Sequence, residues 1–122
     1  MDNEYKKVAQ HLVNEIGRAK ELTNNVDMNE VFMSVEYIIA DLAYLIKPLA
    51  DLEQAFRKNV LDNMALIINE KPMSHAHAES MAKAGDEYKE WRKLDDLMEL
   101  AREQIMVLKK FREDLAIEHK LT

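Results

Sequence analysis

Apolar residues in the last third of the chain recur at alternating spacings of three and four residues. This row consists of Trp91, Leu94, Met98, Ala101, Ile105 and Leu108. The spacing is typical of a helix that lies along another helix, because it keeps one narrow apolar stripe facing the partner. It predicts a long helix over residues 86–120, with this stripe packed against a second long helix.

The second long helix is predicted over residues 27–70. Its main apolar row consists of Val35, Ile38, Leu42, Leu45, Leu49, Leu52 and Phe56, and a second row beside it consists of Phe32, Ile39, Ala43 and Ile46. Asp27 and Glu30 have the spacing of a capping box, and Val26 and Val31 have that of a hydrophobic staple, which indicates the helix start. With two apolar rows, this helix is predicted to be the most buried in the molecule.

A proline lies inside the predicted second helix. Pro48 removes one backbone hydrogen bond and clashes with the preceding turn. The apolar spacing nevertheless continues beyond it, so we expect a kink at Pro48 rather than an end. We expect the helix to end near Glu70, because Pro72 disfavours a helical conformation in the residue before it.

Two shorter helices complete the pattern. The first covers residues 4–23 and ends at Asn24 and Asn25, since Asn tolerates the left-handed conformation that follows many helices. The other covers residues 75–84, with Ser74 as its N-cap and Gly85 just after its last turn.

These elements predict an all-α fold: a long antiparallel helical hairpin (27–70 and 86–120) with an N-terminal helix and a short connecting helix. The 122 residues include only two glycines and two prolines, which favours long helices and few turns. The length predicts a single helical domain over residues 1–122. A helix of roughly 34 residues spans about 50 Å, which is difficult to cover within a small monomer. We therefore expect a homo-oligomer.

Composition excludes several classes of protein. The chain has no cysteine, so disulfides, thiolate metal sites and cysteine nucleophiles are ruled out. No apolar run approaches the length of a membrane span and the first residues are polar, so we expect a cytoplasmic protein with no membrane partner. The net charge is −6, which is unlike that of a generally basic nucleic-acid-binding domain.

Candidate catalytic and metal-binding residues are sparse. His75 and Glu79 are four residues apart and share one face of the predicted short helix, so they supply two ligands of a metal site. A protein metal site typically needs a third ligand, and the alternative is an exposed helical turn with solvated side chains. Neighbouring carboxylates such as Asp95 and Asp96 diverge around a helix. The sequence therefore predicts no enzyme and no cofactor.

Basic residues gather around the predicted turn between the two long helices. They are Arg57, Lys58, Lys71, Lys83, Lys89, Arg92 and Lys93. Tyr88, Trp91 and His77 lie among them and are candidates for base stacking. Cations with interleaved aromatic side chains are what single-stranded nucleic acid needs. The alternative is a mixed, solvated surface, with Trp91 in the core.

Residues 74–120 combine a short Ala-rich helix, an acidic-Tyr segment and a long final helix. The residues concerned are the segment Ser74-His75-Ala76-His77-Ala78-Glu79, then Ala82, Ala84, Asp86-Glu87-Tyr88, Trp91, Ala101 and Phe111. This layout resembles small phage proteins encoded near recombination functions, in particular the recombination-mediator proteins. The resemblance implies an all-helical oligomer that helps to load a recombinase onto single-stranded DNA coated by single-strand-binding protein. It makes Lys71, Lys83 and Lys89, with their basic neighbours, the expected DNA contacts.

The sequence thus predicts a non-enzymatic oligomeric accessory protein that binds single-stranded DNA and a recombination partner, either a recombinase or a single-strand-binding protein. If the protein is encoded by a phage, it would act in the host cytoplasm. The alternative function is a small helical protein-binding factor, such as a phage-encoded inhibitor or adaptor, with no nucleic-acid contact. The acidic first half of the chain favours this alternative, because it would repel phosphate.

Overall fold

The computed structural model describes residues 4–22, 28–68 and 70–121, with side chains described through residue 114. The elements in this part are helices α1 (Glu4–Leu22), α2 (Met28–Met64), α3 (His75–Lys83) and α4 (Asp86–Leu121), and strands β1 (Ile67–Ile68) and β2 (Lys71–Pro72). The predicted all-α fold is confirmed. The predicted helix boundaries at Asn24, Asn25, Val26 and Asp27 lie outside the described residues.

The end of α2 differs from the prediction. The helix ends at Met64 rather than near Glu70, and β1 and β2 then form a short antiparallel hairpin in which Ile67 pairs with Pro72. Glu70 has a φ of 64°, in the left-handed region that lets the chain reverse between the strands. The apolar run before the turn is therefore extended, and its β-branched isoleucines suit that conformation.

The other predicted boundaries agree with the structure. Pro48 lies inside α2 and does not end it. The Ser74 hydroxyl accepts a hydrogen bond from the His77 backbone N–H at 3.2 Å, as expected of an N-cap. Gly85 follows the C-cap residue Ala84, but its φ is not positive, so it does not use the left-handed conformation open to glycine.

The chain divides into two compact units. Unit 1 comprises Met1–Leu45 and Asp96–Thr122, and unit 2 comprises Ile46–Asp95. Unit 1 therefore contains α1, the first half of α2 and most of α4. Unit 2 contains the rest of α2, the hairpin, α3 and the first turns of α4.

The core of unit 1 forms where α1, α2 and α4 turn their apolar rows inward. Its buried apolar residues are Tyr5, Leu12, Ile16, Ala19, Leu22, Val31, Val35, Ile38, Leu45, Met98, Ala101 and Leu108. The predicted α4 stripe is confirmed here at its buried positions, and Ile105 is half-buried. The second row of α2 is different: Phe32 and Ile39 are exposed. The two rows were predicted to make α2 the most buried helix, but the second row is exposed here, and Leu42 and Leu49 of the main row are half-buried.

Among the described residues of unit 1, three polar side chains are also buried. They are Glu15, Ser34 and Gln104. Glu15 Oε2, Ser34 Oγ and Gln104 Nε2 make no hydrogen bond with the described residues. At the surface of the same unit, His11 Nδ1 lies 2.6 Å from Asp41 Oδ2. This hydrogen bond to the Asp41 carboxylate raises the pKa of His11 above its usual value.

Candidate nucleic-acid interface

Unit 2 contains a cleft of about 510 Å³. It is lined by Phe56, Arg57, Val60, Leu61, His75, Glu79, Lys83, Tyr88, Trp91 and Arg92. These residues come from three helices of unit 2, namely the second half of α2, α3 and the first turns of α4. The cleft is large enough for a planar group the size of a nucleobase and has both apolar and charged walls.

Three aromatic rings line one side of the cleft. Phe56 stacks on Trp91 with ring centroids 5.5 Å apart and an interplanar angle of 25°. The ring centroid of Tyr88 lies 5.0 Å from that of Phe56 and 5.9 Å from that of Trp91. Phe56 is only 8% exposed, whereas Tyr88 and Trp91 are half-buried. The buried ring therefore holds two partly accessible rings in place.

A small apolar core supports these rings from behind. Phe56 belongs to a buried cluster with Val60, Met73, Ala78 and Ala82. The two alanines belong to α3, where their small side chains let that helix approach α2 closely. The hairpin supplies the cluster with Met73, whose backbone N–H donates to the Leu66 carbonyl at 3.1 Å. The sequence therefore uses the hairpin and α3 to fix the back of the cleft.

Each of the three cations that line the cleft has a carboxylate close by. The three ion pairs have nitrogen–oxygen distances between 2.9 and 3.3 Å. They are Arg57–Glu53 (2.9 Å), Lys83–Glu79 (3.2 Å) and Arg92–Asp95 (3.3 Å). All six side chains are at least one-third exposed, so each pair stabilises the fold by about 1 kcal/mol at most. The pairs are therefore weak, and each places a negative charge beside its cation.

Two of these cations also lie against the aromatic rings. Lys83 Nζ is 5.9 Å from the centroid of Tyr88, and Arg92 Cζ is 5.7 Å from that of Trp91. These are cation–π distances. Positive charge is therefore present beside both partly accessible rings.

The structure brings together part of the predicted basic surface. Of its seven residues, Arg57, Lys83 and Arg92 line the cleft, with Tyr88 and Trp91 as predicted stacking partners. The other four are exposed but do not line the cleft: Lys58, Lys71, Lys89 and Lys93. His77 does not line it either, and the lining histidine is His75.

Sequence reasoning missed the apolar lining of the cleft. The apolar spacing of α2 predicts Phe56 as a core residue and does not show that Val60 and Leu61 line a cleft. The available signal was the change of spacing after Phe56, where apolar residues at positions 56, 60, 64 and 67 recur every three to four residues on a drifting face.

The candidate metal ligands meet but gain no third partner. His75 Nδ1 lies 3.8 Å from Glu79 Oε2, and Glu79 also pairs with Lys83. In the part of the chain that the structure describes, no three His, Asp or Glu side chains form a group that could hold a metal ion. His75 and Glu79 thus lie side by side on the first turns of α3, and no third ligand joins them among the described residues.

Comparison of the chain with protein-family models, with curated proteins and with solved structures produced no match. Across the residues that the structure describes, no helix is both long and apolar enough to cross a membrane.

Proposed function

We propose that this protein is a non-enzymatic accessory factor that binds single-stranded DNA at the cleft of unit 2. The observation that supports this is the combination of two partly accessible aromatic rings, Tyr88 and Trp91, with the three cations Arg57, Lys83 and Arg92. Stacking on aromatic side chains tolerates any base, and nearby cations neutralise the backbone phosphates.

The net charge of unit 2 indicates which interaction contributes most to the proposed affinity for DNA. Residues 46–95 contain eight Lys and Arg against nine Asp and Glu, a net charge of −1. A unit with so little net charge cannot hold DNA mainly by long-range attraction. The proposed binding therefore depends on stacking and on about three local phosphate contacts. This corresponds to a slope of about −2 in a plot of log affinity against log salt concentration.

The biological setting of the proposal comes from the resemblance to phage recombination mediators. In that setting the protein partner is a recombinase or a single-strand-binding protein in the host cytoplasm. The cleft then holds a short stretch of the strand while the partner is exchanged. This part of the proposal is tested separately, by pull-down of the purified candidate partners with and without oligo-dT.

The test of DNA binding compares two triple variants by fluorescence anisotropy with labelled oligo-dT. The cleft variant replaces Arg57, Lys83 and Arg92 with Ala. The matched control replaces the exposed cations Lys58, Lys89 and Lys93 with Ala, which removes the same charge outside the cleft. We expect the cleft variant to lose at least tenfold in affinity and the control to lose less than threefold.

Trp91 supplies an independent readout, because it is the one tryptophan of the chain. A base that stacks at the cleft should quench its fluorescence at the concentrations where anisotropy rises. Equal losses in the two triple variants, or anisotropy without a change at Trp91, would place the DNA elsewhere. No binding at low salt and micromolar protein would overturn the proposal.

The composition of the same cleft favours a second candidate function, binding of a protein. Trp, Tyr and Arg are the residues most enriched where interfaces derive their affinity, and all three line this cleft. In this case the protein acts as an inhibitor or adaptor, and an apolar side chain of the partner occupies the cleft. Failure of DNA binding, combined with capture of a partner by wild type but not by the cleft variant, would support it.

A further inference from the structure

An exposed apolar surface lies on the part of α2 that belongs to unit 1. We call it the tyrosine face, and it consists of Met33, Tyr37, Ala40 and Tyr44. Met33 is 45% exposed, Tyr37 41% and Tyr44 47%, and Ala40 is also exposed. The spacing of four, three and four residues places all four on one side of the helix.

The opposite side of the same helix segment is already buried. Val31, Val35, Ile38 and Leu45 pack into the core of unit 1. The segment therefore has apolar residues on two opposite sides, and the charged residues Glu36 and Asp41 lie between them.

The size of the exposed surface suits a protein interface. An aromatic side chain offers roughly 150–250 Å², so rings that are slightly less than half exposed leave roughly 70–110 Å² each. With the neighbouring aliphatic residues, the total is on the order of 400 Å² of apolar area. This is about half of the roughly 800 Å² that each partner contributes to a standard stable interface, and polar rim residues normally supply the rest.

We infer that the tyrosine face binds the tyrosine face of a second copy of this chain, with the two α2 helices antiparallel about a twofold axis. An axis between Tyr37 and Ala40 places each Tyr37 over Ala40 of the second copy and each Met33 against Tyr44 of the second copy. Every bulky ring thus meets a small side chain or a flexible thioether. A twofold interface requires this kind of self-complementary order.

The uncharged and self-complementary order of the face favours a second copy, and the charge of unit 1 argues against a nucleic acid. The four side chains of the tyrosine face are uncharged, with Glu36 and Asp41 at its edges, and Tyr and Met are enriched at interface centres. Unit 1 contains nine Lys and Arg against fourteen Asp and Glu, a net charge of −5, which disfavours a nucleic acid here.

The charge of unit 1 also gives the dimer a distinctive salt response. Two copies of an acidic unit repel each other, and salt screens that repulsion. Dimerisation should therefore strengthen as salt rises from 50 to 500 mM, whereas the DNA binding proposed for unit 2 should weaken over the same range. The two proposals can therefore fail independently of each other.

The main test measures mass by sedimentation velocity and light scattering without DNA. The wild-type chain of 14.2 kDa should show twice that mass at micromolar concentration. Ala40→Glu, which puts charges beside the axis, should reduce the mass to that of the monomer. The matched control is Ala76→Glu, at an exposed position on α3 in unit 2, and it should leave the dimer intact.

A second variant tests the proposed contact by crosslinking instead of by loss of the dimer. The chain has no cysteine, so Ala40→Cys introduces a single thiol beside the proposed axis. Under oxidising conditions it should form a disulfide-linked dimer, whereas Ala76→Cys should not. Circular dichroism should show the same helix content for all variants. A wild-type monomer up to 100 µM in high salt, or an unchanged mass for Ala40→Glu, would overturn the inference.

Discussion

The two units of this protein use their aromatic and polar residues in opposite ways. Unit 2 packs Phe56, Tyr88 and Trp91 against one another beside paired cations. Unit 1 leaves Tyr37 and Tyr44 exposed and buries polar side chains instead. The difference concerns the aromatic rings: unit 2 packs its rings together beside a cleft, whereas unit 1 leaves Tyr37 and Tyr44 nearly half exposed.

The largest expected effect comes from deleting a core side chain in each unit. Leu12→Ala in unit 1 and Phe56→Ala in unit 2 should each lower the free energy of unfolding by about 3–5 kcal/mol, because both side chains are buried. We expect urea transitions followed by circular dichroism and by Trp91 fluorescence to coincide in both variants, since α2 and α4 supply helix to both units.

Separate circular dichroism and Trp91 fluorescence transitions would contradict this expectation. If Leu12→Ala shifts the circular dichroism transition but leaves that of Trp91 in place, the units unfold independently. Leu12→Met is the matched control, because a swap that conserves volume typically costs less than about 1.5 kcal/mol.

An intermediate effect is expected from the buried polar groups. Gln104 in unit 1 is 7% exposed, and its Nε2 has no partner among the described residues. In unit 2, Asn63 Nδ2 donates to the Ala78 carbonyl at 3.1 Å. Gln104→Met should raise the free energy of unfolding by about 1–2 kcal/mol, and Asn63→Ala should lower it by about 1 kcal/mol. Urea unfolding measures both, and loss of stability in Gln104→Met would show that the amide is satisfied.

The smallest effect concerns the pH dependence of unit 1. Because the hydrogen bond to Asp41 raises the pKa of His11 in the folded state, folding favours the protonated imidazole. The resulting stability is fully present below the unfolded pKa of about 6.5 and is lost as pH rises through the folded pKa. Wild type should therefore exceed His11→Gln in stability by more at pH 5.5 than at pH 8.5. This pH-dependent difference should become much smaller when both proteins also carry Asp41→Asn, with Glu15 accounting for what remains.

Much of the fold could be predicted, because helix starts and apolar spacing are local properties of a sequence. The Ser74 cap and the stripe of α4 are examples of this. The end of α2 could not be predicted, because Ile67 and Ile68 fit either a helix or a strand. In addition, no local signal places Glu70 in the left-handed region. The exposure of the second α2 row was missed because periodicity identifies an apolar face but not what covers it.

The candidate site could also be predicted only in part. Grouping cations near a turn does not say which side of its helix each one occupies. Arg57 and Lys58 are adjacent in sequence, yet successive helical residues point about 100° apart, so only Arg57 lines the cleft. The apolar side of the cleft depends on α3 and the hairpin approaching α2, which is a tertiary contact and has no signature in one segment.

The hairpin after α2 has a practical consequence for protein engineering. Its strands are exposed, and the reversal at Glu70 uses a backbone conformation that glycine adopts readily. Exposed loop tips accept inserted sequence far better than helices do. A glycine-flanked fluorophore-binding tag inserted after Glu70 would label unit 2 without interrupting any helix, and would leave both chain ends unmodified.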